Sequence, residues 1–186
     1  MATILTPMAR PQSATVRPHS KAPLERDASR PVCVECVDAG PIFARDPRVV
    51  EKRLFPASRG LADARVVVAG GRGLRTKAGF APLEKLARQL NAEVGASREA
   101  VDRGWIDYPH QVGLSGRTIA PEVYIAFGIS GAIQHLAGMQ TSKRIIAIDS
   151  DPDAPIFAVS DLAIRGDLFE LLPRLIGALG DRGAKE

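Results

Sequence analysis

Ser130, Gln134 and His135 follow directly on a run, Val123-Tyr124-Ile125-Ala126-Phe127, that reads as a buried strand and breaks at Gly128. A strand that ends in Gly-Ile-Ser-Gly and restarts as a helix makes a junction suited to a phosphate-bearing cofactor. Its glycines let backbone come close to a ligand, Ser130 can cap the helix and offer a hydroxyl, and the first-turn N–H groups lack intrahelical acceptors. Gln134 and His135 then place two polar side chains where a core helix would carry apolar ones, so something polar is expected to be read there.

The elements that must hold this junction recur along the chain. Residues 65–69 (Arg-Val-Val-Val-Ala) predict a fully buried strand, ended by Gly70-Gly71-Arg72-Gly73, and a helix follows over about residues 80–90 with Leu83, Leu86, Ala87 and Leu90 on one face. Residues 92–95 predict a short strand leading through Ser97 into a short helix, and residues 144–148 another apolar strand. The last helix is the clearest: Leu168, Leu171, Leu172, Leu175, Ile176 and Leu179 fall at helical spacing behind Asp167 and Glu170, arranged as a capping box. Val- and Ile-rich strands alternating with helices predict an α/β fold, a doubly wound parallel sheet with helices on both faces. In such sheets ligands lie beyond the carboxyl ends of the strands, and the polar and glycine-rich segments here do follow strands.

Several chemistries are excluded. Gly71-x-Gly73-x-x-Thr76 lacks the third glycine of the dinucleotide fingerprint, and no GxxxxGK[ST] occurs. Asp149-x-Asp151-x-Asp153 opens like a calcium loop, but Ala154 stands where glycine is required and Ser160 where a bidentate Glu is required. The net charge of +4 lies entirely in the first 60 residues, which hold 10 Lys and Arg against 6 Asp and Glu, while the remainder is balanced. A balanced domain lacks the basic stripe that nucleic acid needs. Cys33 and Cys36 form a lone CxxC, half of a metal ligand set, and read as two thiols in a reducing cytoplasm, with a redox or intermolecular metal role as the alternative. No apolar run approaches the ~18–20 residues needed to cross a bilayer. Residues 1–58, with prolines at 7, 11, 18 and 23, are expected to be an irregular or disordered extension, and residues 59–186 one domain.

Five segments in order, Gly70-Gly71-Arg72-Gly73-Leu74, Val94-Gly95-Ala96-Ser97-Arg98, Gln111-Val112-Gly113-Leu114-Ser115-Gly116, Gly128-Ile129-Ser130-Gly131-Ala132-Ile133-Gln134-His135 and Asp151-Pro152-Asp153-Ala154-Pro155-Ile156-Phe157, resemble the C-terminal FAD-binding domain of the electron transfer flavoprotein alpha subunit. The resemblance covers about residues 60–180 and implies a Rossmann-like, DHS-like domain that binds one FAD against a beta-type subunit. It further implies an electron carrier, without a substrate of its own, passing electrons from dehydrogenases to a quinone reductase or ferredoxin. The family's N-terminal α/β domain has no counterpart in the residues before 60. A stand-alone FAD-binding module, or a truncated alpha subunit without electron-transfer activity, therefore stays open as the alternative.

Residue by residue, the resemblance implies that Arg72 meets the FAD phosphates and that Ser97 holds the phosphate region, although capping a helix explains Ser97 equally well. Arg98 would lie against the isoalloxazine, where a fixed cation favours reduced flavin. Gln111 with Val112, Gly113, Leu114 and Ser115 would wrap the ring. Ser130, Gly131, Ala132, Ile133, Gln134 and His135 would surround the ribityl chain and pyrimidine end, His135 tuning the flavin through a hydrogen bond. Asp149, where the family commonly has Asn, and Asp161 with Leu162 would face the adenosine half. No metal ligand and no catalytic acid, base or nucleophile is expected.

Overall fold

The computed structural model describes residues 60–183 without interruption, together with short pieces between residues 8 and 36. The chain divides into two units, residues 59–186 with residues 1–21, and residues 22–58. In the second unit Cys33 and Cys36 are free, exposed thiols. The expectation about the order of residues 1–58 falls largely outside the described residues.

The larger unit is built on five parallel strands: β1 (Val66–Gly70), β2 (Glu93–Ala96), β3 (Val123–Phe127), β4 (Arg144–Asp149) and β5 (Leu162–Arg165). They lie in the order β2-β1-β3-β4-β5. Gly70 pairs with both Ala96 and Phe127, and Asp149 with Arg165, which brings the carboxyl ends to one edge. Helix α1 (Phe80–Leu90) follows β1, α2 (Arg98–Asp102) follows β2, α3 (Ile133–Leu136) follows β3 and α4 (Leu168–Gly183) follows β5. The α1 bounds are those predicted, since Asn91 takes the left-handed conformation, φ 49°, that ends a helix.

Strand alternation divides the core into two layers. Val68, Phe127 and Ile148 pack under α1 and α4 against Leu83, Leu86, Leu168 and Leu172. Val67, Tyr124, Ala126 and Ala147 face the other way, against Ile119, Met139 and Ile156. Burying each large apolar side chain of this kind contributes about 1.5–3 kcal/mol. The sheet is thus covered on both faces, but unequally. One face carries the two long helices, the other the one-turn α3, the single turn Pro155–Val159 and irregular backbone around Val112 and Ile119.

Two local expectations are corrected. Ser130 does not cap a helix: α3 begins at Ile133 behind Ala132, and the Ser130 carbonyl accepts from Ile156 N–H at 3.0 Å. The fifth strand, β5, was not anticipated, because Leu-Ala-Ile-Arg is short, lies at the sheet edge and is largely exposed, so no clean apolar pattern marks it. Asp167 does cap α4, its carboxylate accepting from Phe169 N–H at 2.8 Å.

Candidate functional site

Between β1 and β3 the strand order reverses, β1 leading outward to β2 and β3 to β4. The loops leaving these strands meet there. Gly71 N–H donates to the Phe127 carbonyl and Gly73 N–H to the Gly128 carbonyl, each at 3.0 Å. Gly128 has φ 61°, and a Cβ on it would stand 2.6 Å from the Gly73 Cα, so both the conformation and the approach require glycine. Over this seam opens a cleft of about 760 Å³. Its position, outside the strand carboxyl ends at a switch point, is where open α/β sheets hold ligands.

Arg72 and Ser97 line the cleft from the ends of β1 and β2. Among the described residues Arg72 enters no ion pair, whereas Arg98, also in the wall, pairs with Asp102 at 3.2 Å. Glu99 is held by Arg103 at 2.7 Å, which keeps its carboxyl below the usual range, with Arg72 adding a smaller pull. Ser97 occupies the cap position of α2, yet its side chain makes no capping bond. Its hydroxyl is therefore not spent on the helix.

Val112, Gly113, Leu114 and Ser115 form the facing wall. Gly113, at φ 140°, turns the chain against α3, and Leu114 N–H donates to the Gln134 carbonyl at 2.7 Å. Gln111 is buried and does not line the cleft; its amide donates to the Ser115 hydroxyl at 3.0 Å and so orients that group. Ser130, Gly131, Ala132, Gln134 and His135 line the cleft together, while Ile133 points its side chain into solvent, 82% exposed. Asp149 lines it from the end of β4 and accepts from Asp151 N–H at 3.0 Å.

Asp161 and Leu162 are not brought to this site. Leu162 begins β5 and Asp161 precedes it, at the amino end of the sheet, where the Asp161 carboxylate accepts from Ile145 N–H at 2.8 Å and Arg144 at 3.0 Å. Those two partners hold the Asp161 carboxyl below its ordinary range, the Ile145 N–H first. At the opposite end of β5, Gly166, Asp167, Leu168 and Phe169 line a smaller recess of about 100 Å³ together with Gly73, Gly128 and Asp149. Arg75, itself at φ 63°, lies over the Phe169 ring at 4.9 Å and shares that recess. Sequence reasoning treated Asp167 as a cap alone, because without β5 nothing marked it as following a strand.

His135 is the buried polar group of the cleft. Nε2 lies 2.9 Å from the Tyr124 hydroxyl, and Nδ1 is buried without a hydrogen-bond partner among the described residues. Burial pushes its pKa down to about 4, and the Val112 backbone opposes this without meeting hydrogen-bond geometry at Nδ1. The imidazole is neutral at pH 7. Tyr124 was missed in the sequence because it sits among Val and Ile in a strand; the available signal was that a buried phenol needs a partner.

The fold is a parallel α/β domain with a cleft at the switch point of its sheet. Residues 60–140 match the family model described as the electron transfer flavoprotein FAD-binding domain. The chain is 47% identical over 164 residues to electron transfer flavoprotein subunit alpha of Bacillus subtilis, covering 87% of this chain and 50% of that one. It is 47% identical over 179 residues to the same subunit of Thermoanaerobacterium thermosaccharolyticum, covering 95% and 54%. A probable mitochondrial alpha subunit of Caenorhabditis elegans is 57% identical over 119 residues, covering 64% and 36%. Over residues 60–140 the chain matches an electron transfer flavoprotein FAD-binding domain, FAD being the cofactor named by that family model, and the relatives it resembles are alpha subunits. It spans about half the length of the curated relatives it matches. Among the described residues no helix is long and apolar enough to cross a membrane, and no cluster of His, Cys, Asp and Glu could hold a metal.

Proposed function

We propose that this domain holds FAD in the cleft and works as the alpha-type half of a cytoplasmic electron carrier, completed by a beta-type subunit. The observation that supports this most directly is the buried, unpartnered Nδ1 of His135 in the cleft wall. A buried polar atom without a partner is costly, and a ligand that bonds it removes the cost. When bound, FAD supplies the redox chemistry, taking up electrons from a dehydrogenase and giving them to a quinone reductase or ferredoxin.

The chain's own residues position and tune. Arg72, with no competing carboxylate bonded to it, suits the diphosphate. The Ser97 hydroxyl, not used for capping, suits the same region. Ser115, steered by Gln111, and the backbone of residues 112–115 and 130–135 suit the ring and ribityl chain. Arg98 brings positive charge to the cleft wall but shares it with Asp102, so its pull on reduced flavin is weaker than that of an unpaired cation. Asp149 and the recess at the end of β5 suit the adenosine half, a role that passes from Asp161 to the Asp167 end of the strand.

The test is the visible spectrum and FAD stoichiometry of the purified chain, alone and with a beta-type subunit, before and during anaerobic stepwise reduction. One FAD per chain, reducible by a dehydrogenase when the beta-type subunit is present, supports the proposal. FAD binding without electron exchange under any of these conditions reduces it to a cofactor-binding module. No FAD bound with or without the partner overturns it.

A further inference from the structure

We propose that Tyr124 fixes His135 as its Nδ1–H tautomer, so that the imidazole presents a hydrogen-bond donor, not an acceptor, to the flavin. This rests on the reading of the cleft as the FAD site.

The inference follows from counting donors and acceptors around one buried pair. Tyr124 is fully buried in β3, and its hydroxyl lies 2.9 Å from His135 Nε2, the rings being 6.2 Å apart and tilted by 53°. Among the described residues the phenol makes no other hydrogen bond. Burial pushes the Tyr124 phenol up and the His135 imidazolium down, so both are neutral and they share one hydrogen in one bond. If Nε2 carried the ring proton, it would donate to the phenol oxygen. The phenol O–H would then have no acceptor, and Nδ1 would be a buried bare acceptor: two unmet groups. If the phenol donates to Nε2, the ring proton sits on Nδ1 and a single group is unmet. That group is the Nδ1–H, buried on a residue that lines the cleft.

Backbone geometry makes the pairing firm. Tyr124 pairs through β3 with Val67 on one side and Ile145 on the other, in the middle of the sheet. His135 sits in α3, whose Gln134 carbonyl is tied to Leu114 N–H at 2.7 Å. Neither ring can turn away without disturbing a packed layer that includes Val112 and Met139. Tyr124 is thus a positioning residue: it does not line the cleft, and it acts through the nitrogen it occupies. The consequence for the cofactor is a sign. A donor aimed at a flavin heteroatom stabilises the negative charge that reduction brings, whereas an acceptor there destabilises it.

Long-range 1H–15N correlation of the imidazoles in the full chain reads the tautomer directly, before FAD is added. The chain has three histidines, His19, His110 and His135, so the peaks are assigned with His110→Gln and His135→Gln. His110 is an internal reference, because its Nδ1 must carry a proton to donate to the Val94 carbonyl at 2.7 Å. The expected result is Nδ1–H for His135 in the unaltered chain, and both tautomers in Tyr124→Phe together with a more negative midpoint potential of bound FAD. An Nε2–H signal in the unaltered chain overturns the inference, and so does a Tyr124→Phe variant that keeps Nδ1–H alone. If the tautomer is Nδ1–H and no FAD binds with or without a beta-type subunit, the FAD reading of the cleft fails instead.

Discussion

The Gln111 amide and the Ser115 hydroxyl are joined across 3.0 Å, one side chain buried and the other exposed at the cleft. The loop therefore delivers a hydroxyl whose direction is set from inside the protein. Replacing Gln111 with Leu keeps the volume and removes the bond. It is expected to cost about 1–3 kcal/mol of stability and to weaken FAD binding, read by denaturant unfolding and flavin titration. A variant with unchanged FAD affinity would show that Ser115 orients itself.

Gly128→Ala tests the seam between the β1 and β3 loops. Its φ of 61° and the 2.6 Å approach of an added Cβ to the Gly73 Cα leave no room for relaxation by a flexible side chain. A destabilisation of at least about 1–3 kcal/mol is expected, together with loss of FAD binding. A thermal melt superimposable on that of the unaltered chain would rule the seam out as a constraint.

Arg72→Ala separates binding from folding. Arg72 is exposed and makes no ion pair among the described residues, so stability should stay within about 0.5 kcal/mol. FAD affinity is expected to fall about tenfold to a hundredfold, as for a lost charge-assisted bond of about 1.5–3 kcal/mol, and the salt dependence of binding should weaken. Equal affinity at low salt would remove Arg72 from the phosphate site.

Asp161→Asn is the converse case. The Asp161 carboxyl is held below its ordinary range by the Ile145 N–H and Arg144, so the folded state binds its proton less readily than the unfolded state. Its stabilisation is present above the unfolded carboxylate range and is lost as pH falls through the folded value. The variant should be less stable near neutrality, show a flatter acid limb and bind FAD as before. Reduced FAD affinity at unchanged stability would return Asp161 to the cofactor.

His135 contributes acid sensitivity of another origin. Its folded pKa of about 4 lies below the ordinary 6.5, so the unfolded chain takes up the proton first. Stability unaffected by this group above pH 6.5 is lost as pH falls from 6.5 to about 4, by on the order of 3 kcal/mol in all. His135→Gln should remove that slope from pH-dependent unfolding curves, and a slope that persists would assign it elsewhere.

Much of the fold could be read from residue order. Val66 to Ala69 and Val123 to Phe127 are continuous apolar runs ended by glycine, and α1 has both a regular apolar face and a left-handed stop at Asn91. Less of the site could be read, because it depends on where strands end. β5 is short, exposed and at the edge, so no apolar pattern marks its ends, and the sequence does not tell that Asp161 precedes the strand while Asp167, beyond its other end, lines the smaller recess. Ser130 looked like a cap because Ser at a strand-to-helix junction is one in many proteins; here the chain runs on to Ala132 before turning. The partnership of Tyr124 with His135 spans a strand and a helix, and no local pattern encodes which face each will occupy.

The unequal covering of the sheet has a kinetic side. Amide protons of β1 and α1, sealed beneath α4, should exchange with solvent only through opening of the whole unit. Those of α3 and of the backbone around Val112 are held by a single helical turn and a few loop bonds, and should exchange through local opening. A cofactor lying across Gly113, Leu114 and Gln134 would slow exchange on that face alone, so that deuterium uptake counts bound flavin without any use of its colour.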